Sequence, residues 1–321
     1  MEVNVVEMVD PNKDSTDADA DHTKQPYLRY SFKSDATSVK TAKDTGADSH
    51  FMTTVPDDAY DDNPAATSTE TVDVTKIVAS AKCEDMKFWS PDSPNLYDVY
   101  TVLKDSEGNV LDVQKTTTGF RKVEYDINDG GLKINDQPVW LTGYAQRSTN
   151  EWAVIGVAND WLQDLDMQWI KESNSNFIRW MHVAPKPSQI RSGDKYGVVS
   201  ACPAGDKEAD VDGRAWDQRV EAMRDAMIYF RNSPSVIFWE AGNNAVTAAH
   251  QQEMTDLKNT LDPNGERFCG CRTISSTDQI QAADYVGTML NRHASNAKAS
   301  MAAIKKYVPI METEYAREEA P

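Results

Sequence analysis

Three short segments of this 321-residue chain place ionisable and amide side chains where apolar runs end. They are Arg179-Trp180-Met181-His182, Glu240-Ala241-Gly242-Asn243-Asn244 and Glu312-Thr313-Glu314-Tyr315. Each follows the kind of short apolar run that forms a buried strand. If the strands are parallel and curl into a barrel, their polar ends meet at one mouth. Carboxylates facing each other across such a mouth suit cleavage of a glycosidic bond. One carboxylate attacks and the other donates a proton, roughly 5 Å apart when configuration is retained. Trp180 and Tyr315 beside them suit a sugar face. The plainer alternative is that all of these are ordinary polar residues of a barrel rim.

The elements that would position them fall into two regimes. Residues 1–70 are rich in Asp, Thr, Ser and Ala with little periodicity. They read as edge strands and long loops, or as partly disordered chain. Val72–Ala79, Tyr97–Leu103 and Val110–Thr117 carry the β-branched and aromatic residues of short strands, the last two joined at Ser106-Glu107-Gly108-Asn109. That is all-β behaviour, and a sandwich is the natural architecture. From Gly131 the pattern changes. A small hairpin around Asn135-Asp136 leads into alternating strands and helices. Strands are expected at Val139–Tyr144, Asn176–Met181, Val198–Cys202, Val236–Trp239, Arg267–Arg272, Tyr285–Leu290 and Pro309–Tyr315. Helices are expected at Trp161–Lys171, Trp216–Phe230, His250–Leu261 and Ala294–Tyr307. Short links between strand and helix imply parallel βαβ units. The expected fold class is therefore multidomain: an immunoglobulin-like β-sandwich over residues 1–122, then a TIM (β/α)8 barrel over 123–321. An eight-stranded barrel needs about 250 residues, so the barrel is expected to be incomplete near the end of its seventh strand.

Composition narrows the partners. The net charge of −18 disfavours nucleic acid and anionic membranes, which need basic patches. The acidic excess is strongest in residues 1–70, with fifteen Asp or Glu against six Lys or Arg. No run of 18 apolar residues suggests a membrane span, and the first residues lack the pattern of a signal peptide. The four cysteines (Cys83, Cys202, Cys269, Cys271) form no CxxC pair, and the five histidines have no metal-ligand spacing. Neither a metal nor a cofactor is expected. The charge suits a protein that handles neutral molecules, a carbohydrate is the expected substrate, and the sequence is silent on oligomeric state.

Several motifs together resemble glycoside hydrolase family 2. Trp89-Ser90-Pro91-Asp92-Ser93-Pro94-Asn95-Leu96-Tyr97 is similar to a segment opening a strand in that family's sandwich. Thr118-Gly119-Phe120-Arg121 resembles the signature leading into its barrel. Leu132–Val139 resembles the hairpin that follows, and Phe177–His182 its second strand. Asn232–Trp239 with Gly242-Asn243 resembles the fourth strand, and Thr313-Glu314-Tyr315 the seventh. The matches run in family order over about residues 85–316. The resemblance implies a retaining exo-β-glycosidase with Glu314 as nucleophile, β-galactosides being the first expectation. It implies that Asn243 binds the sugar 2-hydroxyl and that Arg179 holds carboxylates ionised, although a structural ion pair is an equal reading for Arg179. His182 is implied near the sugar, with a capped rim histidine an equal alternative. Glu312 alternates with Glu314 and could instead tune it by like-charge repulsion.

One position departs from the family. Where its acid/base glutamate stands, this chain has Asn244. An amide does not donate a proton as a carboxylic acid does. Three readings follow. Glu240 supplies the acid, which is the favoured expectation, because a glutamate inside a barrel strand is costly to bury without a task or partner. Otherwise Glu318 or Glu319 swings in, or the protein takes only leaving groups that need no acid. An alternative of another class is a catalytically impaired carbohydrate-binding protein with a degenerate barrel.

Overall fold

The computed structural model describes residues 1–8, 27–36, 77–126, 128–129, 131–147, 159–181, 183–203, 205, 209–273, 276–289 and 309–314. The chain divides into two compact units, Met1–Glu84 with Asp98–Thr116, and Asp85–Tyr97 with Thr117–Pro321. In the first unit four strands form one sheet in the order Tyr27–Lys33, Glu2–Glu7, Tyr97–Lys104, Val110–Thr118. Glu2–Glu7 runs antiparallel to Tyr27–Lys33 and buries Val3 and Val5 on one face. The expected turn between the last two strands is held by Asp105, whose carboxylate accepts from the backbone N–H groups of Glu107 and Asn109. Residues 77–79 of the expected strand Val72–Ala79 are not in a strand, and 72–76 lie outside the described residues.

The second unit is built on a seven-stranded sheet whose strands follow one another in chain order, every adjacent pair parallel. We number them β1 (Gly143–Arg147), β2 (Phe177–Met181), β3 (Val199–Pro203), β4 (Val236–Glu240), β5 (Phe268–Cys271), β6 (Tyr285–Met289) and β7 (Ile310–Glu314). The described helices are α1 (Asp160–Glu172), α2 (Pro187–Tyr196), α3 (Arg214–Phe230), α4 (Ala248–Leu261) and α5 (Thr277–Ala282). β1 begins later than the expected Val139–Tyr144. Val139 instead continues the preceding hairpin, donating its N–H to Leu132 O at 2.9 Å. Val139 and Leu141 pack against the inner core, so that apolar run marks the approach to the strand. α2 was not foreseen because its sequence holds a glycine and a single buried apolar side chain, Ile190. The helix expected at Ala294–Tyr307 lies outside the described residues.

Side-chain alternation along the strands sorts two cores. Ile178, Trp180, Cys202, Trp239 and Cys269 point to the helix layer and pack with Met167, Met223, Met227 and Phe230. Phe177, Phe238 and Tyr285 point the other way and meet Trp89, Val123 and Ile134. Phe238 is the hub of that inner cluster, with Phe177, Phe268 and Tyr285 rings at 6.2, 5.6 and 5.3 Å. Each such ring contributes about 1.5–3 kcal/mol on burial. The hairpin of Gly131–Ile134 and Gln137–Pro138 joins this core through Ile134. Its turn residues Asn135 and Asp136 take φ of 54° and 64°, as a two-residue hairpin loop requires.

The start of β4 is anchored heavily. Arg121 donates to the carbonyls of Pro234, Val236 and Gly265. Arg267 donates to those of Arg231, Ser233 and Val236. Gly119, two residues before Arg121, lies so close to Pro234 and Trp89 that a Cβ would meet each at 2.8 Å. On the third side Asp194 of α2 accepts the Ser235 N–H at 3.0 Å. Burial pushes the Asp194 carboxyl up to about 6, against hydrogen bonds from Ser235 and Ser233 and the Arg267 charge.

Asp194 therefore couples stability to pH. An unfolded aspartate ionises near 3.8, whereas the folded one keeps its proton to about 6. The folded state binds more protons in that window, so the contribution of Asp194 to stability falls as pH rises through it. Between pH 5 and pH 8 the wild type should lose about 1–2 kcal/mol relative to Asp194→Asn, measured by urea unfolding. Parallel stability curves for the two proteins would show that Asp194 does not titrate in this way.

Candidate active site

The C-terminal ends of the parallel strands lie on one side of the sheet, and there the candidate residues gather. Arg179 on β2 and Glu240 on β4 lie two strands apart and face the interior, each about 1% exposed. The guanidinium grips the carboxylate with two hydrogen bonds: Nε donates to Oε2 at 2.8 Å and Nη2 donates to Oε1. Nη2 also donates to Asn243 Oδ1 at 3.0 Å. One layer below are Phe177 and Phe238, each two residues earlier on the same strand faces. The pair thus rests on an aromatic base that excludes water and strengthens its electrostatics.

Asn243 and Asn244 sit on the loop leaving β4, and β5 pins that loop from beside it. Ala241 N–H donates to Gly270 O at 2.7 Å, and Arg272 N–H donates to Gly242 O at 3.1 Å. The Cys271 thiol lies 2.9 Å from Gly242 O and 3.0 Å from Asn244 O, and burial pushes it up to about 12, so it stays protonated and donates. The Arg272 side chain adds two contacts, Nε to Asn243 Oδ1 at 2.9 Å and Nη2 to Asn244 Oδ1 at 3.1 Å.

The seven strands place Glu314 at the same end of the sheet as Glu240. Glu314 is the last residue of β7 and pairs with Met289, the last residue of β6. Nothing further is described of its side chain, nor of that of Glu312. His182 and Tyr315 lie outside the described residues, as do Glu318 and Glu319. Trp180 requires a correction. It alternates with Arg179 and so points into the helix layer, fully buried, with Nε1 donating to Ser200 Oγ at 3.2 Å. It does not share the face that carries Arg179. Glu240 is brought to the site, but with both oxygens on Arg179. It can lend a proton to a leaving group only by breaking a buried pair.

The sequence reading missed Arg272. The signal was present, since Arg272 ends an expected strand just as Arg179 and Glu240 do. Among the described residues no group of three or more His, Cys, Asp or Glu side chains could hold a metal. No helix among them is long and apolar enough to cross a membrane.

A parallel sheet with helices between its strands and a polar network at their C-terminal ends is the layout of an α/β-barrel domain and its candidate site, and the comparisons with known proteins narrow it. The model for glycosyl hydrolases family 2 matches residues 20–121, and that for the family's TIM barrel domain matches residues 125–321. The chain belongs to glycosyl hydrolases family 2, with a β-sandwich-type domain followed by a TIM barrel domain. It is 34% identical over 249 residues to a β-glucuronidase of Formosa agariphila, an alignment covering 77% of this chain and 24% of that protein. It is 28% identical over 188 residues to a β-galactosidase of Photobacterium profundum, covering 55% of this chain and 18% of that one. The chain thus spans about a quarter or less of the length of these curated relatives. Among solved structures, a β-glucuronidase from glycoside hydrolase family 2 superposes with a TM-score of 0.67 at 25% identity, covering 100% of this chain and 28% of that one.

Removing one partner of a buried ion pair strands the other charge, at about 3–5 kcal/mol, whereas replacing both with apolar groups can be nearly neutral. Arg179→Met should therefore lower unfolding free energy by about that amount, and Arg179→Met with Glu240→Leu should recover most of it. Simple addition of the two single losses in urea unfolding would contradict the coupling.

Proposed function

We propose that this chain carries the reacting centre of a retaining exo-β-glycosidase with Glu314 as its nucleophile and a β-glucuronide as its substrate. What supports this reading best is the mouth network. Asn243, fixed by Arg179 and Arg272, lies in the same sheet end that carries Glu314. In the reaction the Glu314 carboxylate attacks the anomeric carbon as the bond to the leaving oxygen breaks, giving a glycosyl ester. Water then attacks the same carbon, returning the sugar with retained configuration and freeing the carboxylate. Asn243 hydrogen-bonds the 2-hydroxyl, a contact that strengthens as charge develops. Glu240 serves as the counter-charge of Arg179 rather than as the acid.

A uronate is favoured over galactose, the first expectation from sequence, for two reasons. The β-glucuronidase relative matches more of the chain at higher identity than the β-galactosidases do. Arg147 ends β1 and Lys186 caps the start of α2, so both cations lie toward the strand ends. With an amide at Asn244, departure of the leaving group receives no proton from that position. Turnover should therefore depend steeply on leaving-group acidity: a 2,4-dinitrophenyl glycoside should outpace an alkyl glycoside by well over the ~10²–10⁴-fold that general-acid catalysis supplies. Equal rates on the two would mean that an efficient acid is present.

The direct test is intact mass after incubation with 2-deoxy-2-fluoro-β-glucuronyl and β-galactosyl fluorides. Fluoride leaves without an acid, so only a nucleophile and a fitting pocket are needed. The expected result is one added glucuronyl group on Glu314, absent in Glu314→Gln. Labelling by the galactosyl reagent alone would establish a β-galactosidase. No label on folded protein would favour a sugar-binding protein without turnover, the reading that Asn244 itself supports.

A further inference from the structure

Arg272 touches none of the reacting atoms above, yet it holds both amides at the mouth. Asn243 Oδ1 accepts from Arg179 Nη2 at 3.0 Å and from Arg272 Nε at 2.9 Å. A guanidinium only donates, so the atom facing the two arginines must be the oxygen, and both its lone pairs are engaged. The amide orientation follows from the network without ambiguity. Asn244 Oδ1 is held likewise by Arg272 Nη2 at 3.1 Å. Among the described residues neither Asn243 Nδ2 nor Asn244 Nδ2 donates to any protein acceptor. Arg272 itself is 8% exposed and is steadied at its own backbone by the bond to Gly242 O.

We propose that Arg272 is a positioning residue for the glycosidase reaction, turning the Asn243 and Asn244 amides so that each offers its NH2 donor to a substrate oxygen. The assignment rests on the glycosidase reading of this site. It makes Asn243 a reader of the 2-hydroxyl as a hydrogen-bond acceptor, and Asn244 a donor to the glycosidic oxygen region. Lysine cannot replace the fork: an ammonium is a point charge and does not hold two oxygens in one plane.

The test compares kcat/KM of the full-length protein and its Arg272→Lys variant on two substrates. These are the 2,4-dinitrophenyl β-glycoside that the wild type turns over and its 2-deoxy counterpart. A misplaced amide should cost about 10²-fold on the 2-hydroxy substrate and less than about 3-fold on the 2-deoxy one, which has no oxygen for Asn243 to read. If Arg272→Lys does not fold, as judged by its melting transition, Arg272→Gln provides the same comparison. An equal loss on both substrates, or no loss on either, overturns the positioning role while leaving the glycosidase reading intact. A wild type that turns over neither substrate overturns the glycosidase reading and this assignment with it.

Discussion

A guanidinium and a carboxylate buried together above an aromatic base set the terms for this barrel. Removing two charges from water is expensive, and the attraction between them offsets that only if the geometry is good and other polar atoms are satisfied. Arg179 and Glu240 meet the first condition by pairing two-to-two across neighbouring-but-one strands. Beside the pair, the Asn243 oxygen takes a further arginine proton. The pair makes β2 and β4 depend on each other at the mouth, and Arg179 with Arg272 fixes the orientation of Asn243.

β4 is held at both ends by different means. At its start, Arg121 and Arg267 bind carbonyl oxygens and Asp194 binds a backbone N–H. At its far end, the ladder to β5 continues past the strand through Ala241 and Gly242, with the Cys271 thiol and Arg272 side chain closing the loop. A strand fixed this firmly can present side chains with the sub-ångström placement that catalysis demands. The arrangement also explains why a glycine stands at 119, where the Arg121 segment passes against Pro234 with no room for a side chain.

Much of this was legible in the sequence because local pattern carries it. Six of the seven apolar runs after Gly131 became strands and the first leads into one, and Trp216, Val220, Met223, Met227 and Phe230 lie on one 17-residue helix as their spacing required. The hairpin at Asn135-Asp136 could be read because few residues accept positive φ there. What was not legible depends on pairing over distance. Glu240 and Arg179 are 61 residues apart, so their sequence positions identified each as a strand-end polar group but not as partners. That pairing places both Glu240 oxygens against the Arg179 guanidinium. Trp180 went wrong through parity: one position from Arg179 on a strand means the opposite face. Arg272 ends its strand as Arg179 and Glu240 end theirs, but its amide partners lie 29 and 28 residues away in sequence.

When a sugar binds, the Arg179–Glu240 pair should stay closed and present Asn243 as a donor to it. A crystal structure of the full-length protein with a glycono-lactone or iminosugar inhibitor tests it directly. The expected result is an unbroken pair with the inhibitor 2-hydroxyl about 3 Å from Asn243 Nδ2. A structure in which Glu240 has left Arg179 to contact the sugar, or in which the inhibitor binds away from Asn243, would contradict it.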